Sequence, residues 1–246
     1  MARWFHKGVP YLPARAISGL LARSVCGFYK LMPSSLIMKT FLLCIFFIPT
    51  LLAGEPQVKL WQSYFPNMDC SSNECGDKLP LKALEQMLEK ASYLQPEKLK
   101  NTKWAFLLDF SIHSSEKRGF LIDLRTGGSE SFHVSHGIGS ADGEGNAIRF
   151  SNTNMSKMSS LGLYLTAETY HGKHGYSLRM DGLEESNNAA RKRLIVVHAA
   201  DYVSEEFIRD NGRAGRSWGC PAVAEEHRDR IINNLKDGSL YYIYHQ

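Results

Sequence analysis

From Lys103 onward the chain is cut into seven short apolar runs, and that spacing constrains the fold more than any other feature. The runs cover residues 104–110, 120–124, 132–136, 161–170, 176–180, 194–198 and 240–244, with Gly, Ser and Asn between them. Short apolar runs bounded by turn residues are strands, and a series of them predicts a sandwich or a barrel-like sheet. Two helical patterns interrupt the series, at 204–210 and at about 224–236. Upstream, residues 81–94 put Leu84, Met87, Leu88 and Ala91 at helical spacing behind Pro80, which predicts an amphipathic helix packed on the domain. The stretch 137–160 carries glycines at 137, 139, 143 and 145 and is expected to be loop or irregular strand, either functional or merely a flexible insertion. The fold class that follows is mainly β with flanking helices.

The beginning of the chain has a different character. Residues 1–37 hold five basic and no acidic side chains, and Met38-Lys39 then opens a short apolar run ending in small residues near Gly54. A charge, a short apolar run and small residues are the layout of a signal peptide, with Met38 as the start of translation. A mitochondrial presequence is the competing reading of the same composition. The apolar run falls short of the roughly 20 residues of a membrane span, so contact with a membrane is expected only through this segment if it stays uncleaved. The expected divisions are 1–54 for extension and leader, 55–100 for an N-terminal helical segment, and 101–246 for the β-rich domain.

Removing the leader changes the charge argument. The whole chain has 29 basic and 25 acidic residues, but six of the basic ones and none of the acidic ones precede residue 55. The remainder carries a formal charge of −2, so the basic character of the full chain is no argument for a nucleic-acid partner. Cys70 and Cys75 are close enough in sequence to close a small loop, and a disulfide, a metal pair or two free thiols all fit. Cys220 is then unpaired, which in an exported protein flags a reactive thiol.

Cys220 stands in Arg213-Ala214-Gly215-Arg216-Ser217-Trp218-Gly219-Cys220-Pro221-Ala222-Val223, and His198 ends an apolar run 22 residues earlier. A thiolate is the nucleophilic form of cysteine, while a free thiol with a pKa of about 8.5 is mostly protonated at neutral pH. An imidazole that takes the proton makes such a thiol usable; without one, a buried cysteine is an inert small hydrophobe. Pro221 suits the first position of a helix, whose N-terminus would favour the anion. The backbone N–H groups of Gly219 and Cys220 are candidate donors to an oxyanion. Ser217 is suited to holding the turn. Arg213 and Arg216 are suited either to clamping a substrate carboxylate or to solubilising the loop. Tyr202 is placed to cover the site or simply to pack. His133/His136 and His171/His174 are spaced three apart, which in strands points them to opposite faces, so no metal or other cofactor is expected.

These residues have company. Ser151-Asn152, Ser159-Ser160-Leu161-Gly162, residues 170–175, residues 178–183 and Ala190-Arg191, taken with His198 and residues 215–223, resemble the GCPAV-type second branch of the YkuD-like murein L,D-transpeptidase catalytic domains over about residues 90–246. The resemblance implies a β-sandwich or barrel-like catalytic domain in the periplasm or cell envelope. It implies that Cys220 attacks the L-centre carbonyl of diaminopimelate in a tetrapeptide stem of peptidoglycan, expelling D-alanine and forming a thioester that a second stem's amine resolves. It further implies that the Ala199 carbonyl orients His198 and that His174 lines the substrate groove. Water as acceptor would make the same site an L,D-carboxypeptidase, and a protein amine would make it an anchoring enzyme. A non-catalytic wall-binding domain and a papain-like or amidase-type thiol enzyme are the alternatives from other classes, although the latter usually place cysteine before histidine.

Overall fold

The computed structural model describes residues 79–246. The leader, its cleavage point, the Cys70/Cys75 pair and most of the expected 55–100 segment lie outside the described residues. The described part opens with helix α1 (Leu81–Ala91) and continues into strands β1 (Trp104–Asp109), β2 (Gly119–Asp123), β3 (Ser129–Phe132), β4 (His136–Gly137), β5 (Gly162–Gly172), β6 (Gly175–Gly182) and β7 (Val196–Ala199). Helix α2 (Glu205–Asn211), the short strands β8 (Arg216–Ser217) and β9 (Ala222–Val223), helix α3 (Glu225–Leu235) and strand β10 (Leu240–Tyr244) complete it.

Eight of the strands form one sheet in the order β3-β2-β1-β10-β5-β6-β7-β9, and β4 pairs with β8 in a separate two-stranded ribbon. Within the large sheet β1 runs parallel to β10 and β7 runs parallel to β9; the other pairs are antiparallel. The sheet nearly closes on itself. Val134, two residues beyond edge strand β3, forms an antiparallel bridge with Val223 in β9 at the opposite edge. The chain is therefore mainly β and barrel-like with few helices.

Why the central strands are continuous apolar runs is visible in their burial. In β1, Phe106 and Leu108 enter one core cluster while Ala105 and Leu107 enter another on the opposite face. The same split holds for Tyr241 and Ile243 against Leu240, Tyr242 and Tyr244 in β10. Strands covered on both faces lose the in–out alternation of a half-solvated sheet. Helix α1 supplies one cover through Ala83, Leu84, Met87 and Leu88, and α3 supplies part of the other through Ile231, Ile232 and Leu235. Burying each of the large α1 side chains stabilises the fold by about 1.5–3 kcal/mol. Register partners Phe106 and Tyr241 stack with ring centroids 4.8 Å apart at the centre of the larger cluster.

Two expectations are corrected. The helix after Cys220 runs from Glu225 to Leu235, where the 224–236 pattern puts it, but Pro221 does not start a helix, because Ala222–Val223 is taken up as strand β9 between β7 and the Val134 segment. Cys220 therefore leads into a strand and has no helix N-terminus beside it. The expected strand at 132–136 is broken: β3 ends at Phe132 and β4 begins at His136, where the chain leaves the main sheet to pair with β8.

Candidate active site

Parallel strands cannot be joined by a tight turn and need a crossover of a dozen or more residues. That accounts for the spacing between His198 and Cys220. The chain leaves β7 through a short 3-10 turn at Asp201–Val203 and passes through α2, which Ser204 caps by accepting from the Phe207 N–H at 3.2 Å. Gly212, in the left-handed conformation with φ 69°, ends the helix, and the chain returns through β8 to β9. In the resulting register His198 is paired with Ala222 and Ala199 with Val223. Cys220 thus stands two residues before the strand partner of His198.

The imidazole of His198 is buried, and its Nδ1 lies 2.8 Å from the Ala199 carbonyl oxygen. A carbonyl only accepts, so Nδ1 carries the proton and Nε2 of the neutral ring keeps its lone pair. Burial pushes the His198 pKa down, and the neighbouring His174 adds to this against the bond to Ala199. The ring is a neutral base at physiological pH. His174, on the hairpin between β5 and β6, stacks on His198 with ring centroids 4.3 Å apart and is itself exposed.

Cys220 is half-buried and packs against the larger core cluster. Its thiol donates to the Leu194 carbonyl oxygen at 3.6 Å, and no hydrogen bond joins it to His198. Burial pushes the thiol pKa up, while the Val196 N–H and the Arg193 guanidinium favour the thiolate. The site rests as a neutral thiol just ahead of β9 and a neutral imidazole on the adjoining β7.

The turn ahead of the sulfur is held by serines. Ser217 Oγ accepts from the Gly219 N–H at 3.0 Å and donates to the Cys220 carbonyl at 2.6 Å. Ser159 Oγ accepts from the Gly137 N–H at 3.0 Å and donates to the Gly219 carbonyl at 3.2 Å. Gly219 adopts φ 121°, and a Cβ there would meet the Met158 carbonyl oxygen at 2.7 Å, so no other residue fits the turn. The Gly219 N–H is spent on this turn, whereas the Cys220 N–H donates to no described residue and is the open donor.

The remaining expected site residues surround this turn. Tyr202 is half-buried and lies against Gly215, whose N–H donates to the Tyr202 carbonyl at 2.7 Å. Burial and the facing Cys220 raise the Tyr202 phenol to about 12. Arg213 and Arg216 are half-buried; the Arg213 side chain donates to the Ala214 carbonyl at 3.3 Å, and the Arg216 side chain makes no hydrogen bond or ion pair among the described residues. Trp218 is 68% exposed, with the Lys157 ammonium 4.5 Å above its ring. Neither histidine pair lies within one strand: His133 precedes β4 and is half-buried while His136 is buried in it, and His171 in β5 stacks on Tyr176 while His174 in the following turn stacks on His198. Among the described residues no group of three or more His, Cys, Asp or Glu side chains is placed to hold a metal.

Sequence reasoning missed Arg193. Its guanidinium donates to the carbonyls of Ser151 (2.8 Å) and Met158 (2.5 Å) and to the hydroxyls of Ser160 and Ser156 (3.3 Å each). It thereby ties the 151–160 loop to the turn that precedes β7 and brings a positive charge to Cys220. In sequence it is one of several basic residues ahead of a strand, and nothing there separates it from loop solvation.

Among solved structures the chain is similar to an L,D-transpeptidase from Mycobacterium smegmatis, with 10% identity, a TM-score of 0.35 and 58% of each chain covered. It is similar to L,D-transpeptidase 3 from Mycobacterium tuberculosis, with 10% identity, a TM-score of 0.36, and 58% of this chain and 61% of that one covered. An L,D-transpeptidase from Xylanimonas cellulosilytica matches at 13% identity and a TM-score of 0.33, over 64% of this chain and 67% of that one. The chain spans less than two thirds of the first two structures. No curated protein matches it. The family described as L,D-transpeptidase catalytic domain matches residues 76–244, which is more than half of the chain and includes both His198 and Cys220. On that match, the chain belongs to the L,D-transpeptidase catalytic domain family.

Proposed function

We propose that the protein is an exported cysteine acyltransferase that acts on the tetrapeptide stems of peptidoglycan as an L,D-transpeptidase. The observation that carries this reading is the His198 ring, fixed through Nδ1 on the Ala199 carbonyl with a free Nε2 lone pair, one parallel strand from Cys220. In the first half-reaction the Cys220 sulfur attacks the L-centre carbonyl of diaminopimelate while His198 takes the thiol proton. The carbonyl oxygen becomes an oxyanion facing the Cys220 N–H. The C–N bond to D-alanine then breaks, and His198 returns the proton to the leaving amine. In the second half-reaction the amine of another stem attacks the thioester, His198 takes its proton, and the Cys220 thiol is restored with a new amide bond in place. A base that starts neutral and a thiol that starts protonated suit general-base catalysis, which contributes about 10²–10⁴-fold.

Incubation of the protein with tetrapeptide muropeptides, read by mass spectrometry, tests the reading. The expected result is release of D-alanine, a Cys220 adduct lighter than enzyme plus substrate by one alanine, and cross-linked dimers. A carbapenem, as a reactive acyl donor, labels the same sulfur. Cys220→Ser folds but gives no adduct, because a hydroxyl is far harder to ionise than a thiol. A folded wild-type protein that gives neither product nor adduct leaves the non-catalytic wall-binding reading in its place.

A further inference from the structure

Beside the nucleophile turn lies a set of basic groups that the acyl transfer does not use. Arg118 is fully buried. Its Nε donates to the Val134 carbonyl at 2.9 Å, Nη1 to the Ile112 carbonyl at 3.0 Å, and Nη2 to His136 Nδ1 at 2.7 Å. The guanidinium sits 4.9 Å from the centre of the Phe110 ring. It forms no ion pair among the described residues, and Asp109 acts on it only from a distance. A guanidinium cannot accept a hydrogen bond, so His136 Nδ1 supplies the lone pair and the proton of the neutral ring sits on Nε2. That Nε2–H is closed off from solvent and has no partner. Leaving a buried donor unsatisfied is unfavourable, and such a group in a folded protein calls for an explanation.

The β4–β8 ribbon shows what stands next to it. His136 is the register partner of Arg216, and paired residues on neighbouring strands project from the same face. The Arg216 side chain has no hydrogen bond or ion pair to any described residue, so it can swing aside without breaking one. Arg213 also faces His136 and has only the Ala214 carbonyl. The acidic group facing the cluster, Asp142, is turned to its own loop, accepting from the N–H groups of Glu144, Gly145 and Asn146 and from Asn146 Nδ2. Burial first, then Arg118 and Arg216, hold the His136 pKa near 3, so its ring stays a neutral donor. Donors converge here without an acceptor. The next residues of the ribbon, Gly137 and Ser217, contact the Gly219 turn, which keeps the cluster next to the nucleophile loop.

We infer that His136 and Arg216 form a carboxylate-binding subsite, with Arg118 polarising the His136 N–H from behind. The carboxylate takes two parallel bonds from the Arg216 fork and a third from His136 Nε2–H, an arrangement that Arg favours for planar anions. Resting on the acyl-transfer reading above, the carboxylate assigned to it is the free terminus of the stem's leaving residue. The subsite would then restrict the enzyme to acyl donors that end in a carboxylate.

The test uses the full chain labelled with ¹⁵N-histidine, in low-chloride buffer, titrated with D-alanine and separately with D-alaninamide. D-alanine is expected to shift the His136 Nε2–H resonance saturably, and D-alaninamide is not. Arg216→Gln, which removes no side-chain hydrogen bond or ion pair to a described residue, is expected to weaken the D-alanine response tenfold or more. In turnover, Arg216→Gln should lower kcat/KM at least tenfold for a stem ending in D-alanine and leave a stem ending in D-alaninamide nearly unchanged. Absence of a saturable shift, or an equal shift with the amide, overturns the subsite. A protein that releases D-alanine from stems without showing the shift keeps its proposed function and loses the subsite. One that shows the shift without releasing D-alanine keeps the subsite and loses the function.

Discussion

The face under α1 and the end that carries Cys220 are built on different principles. Under α1 the core contacts are between apolar side chains: Ala83, Leu84, Met87 and Leu88 cluster with Leu107, Leu163 and Tyr242. Around Cys220 the chain is held by hydrogen bonds of Ser159, Ser217 and Arg193 to backbone, and His136, His198 and Arg118 are buried as polar groups. Apolar burial is non-directional and tolerates small shifts, whereas a serine-pinned glycine turn fixes the position of one sulfur. One region supplies stability and the other supplies geometry.

The division is broken most directly at His198. His198→Ala is expected to slow acylation of Cys220 by about 10²–10⁴-fold, while thermal unfolding shifts less than it does for a core truncation. The decline should be largest near neutrality. Because the His198 pKa is depressed, its base form persists as pH falls below the usual histidine value, and the wild-type rate drops only at more acidic pH. Acylation measured by intact mass across a pH series checks this, and equal rates in the two proteins would remove His198 from the mechanism.

Leu84→Ala acts on the other region. Leu84 is fully buried under α1, and truncation of such a side chain destabilises by about 2–5 kcal/mol. Denaturant unfolding should show this loss, while the alkylation rate of Cys220 in the folded protein stays unchanged. A parallel loss of thiol reactivity would show that the two regions are not separable.

The smallest effect belongs to Arg193, which lies on the boundary. Its charge favours the Cys220 thiolate while burial opposes it, so Arg193→Gln moves the thiol pKa further up. Iodoacetamide labelling near neutral pH should slow by about 1.5–5-fold, the range of a screened charge pair worth about 0.2–1 kcal/mol. Labelling should recover at alkaline pH, where the thiolate forms in either protein. Arg193→Lys should recover much of the rate because it restores the charge. A slower rate at every pH would mean that the guanidinium acts only by holding the 151–160 loop.

Much of this was already in the amino-acid sequence. Strands buried on both faces are continuous apolar runs, so β1, β2 and β10 were legible within a few residues, while β6 was legible from the alternation that puts Leu178 and Met180 on one face of the core. Ser204 and Gly212 bracket α2 through local chemistry. Gly219 was legible because a positive φ and a close backbone approach restrict that position to glycine. The tertiary structure decided what depends on partners far along the chain. Pro221 is compatible with a helix start, yet pairing of Ala222 with His198 and of Val223 with Val134 made that segment a strand. The two-residue strands β4 and β8 have no periodicity to read, and they exist because residues 136–137 and 216–217 are brought together. Arg118, His136 and Arg193 are ordinary polar residues in one dimension. Burial and contacts reaching 18 residues from Arg118 to His136 and 35 or more from Arg193 to the loop at Met158 set their proton affinities and their roles. Desolvation and long-range hydrogen bonding belong to the folded chain, and no local pattern encodes them.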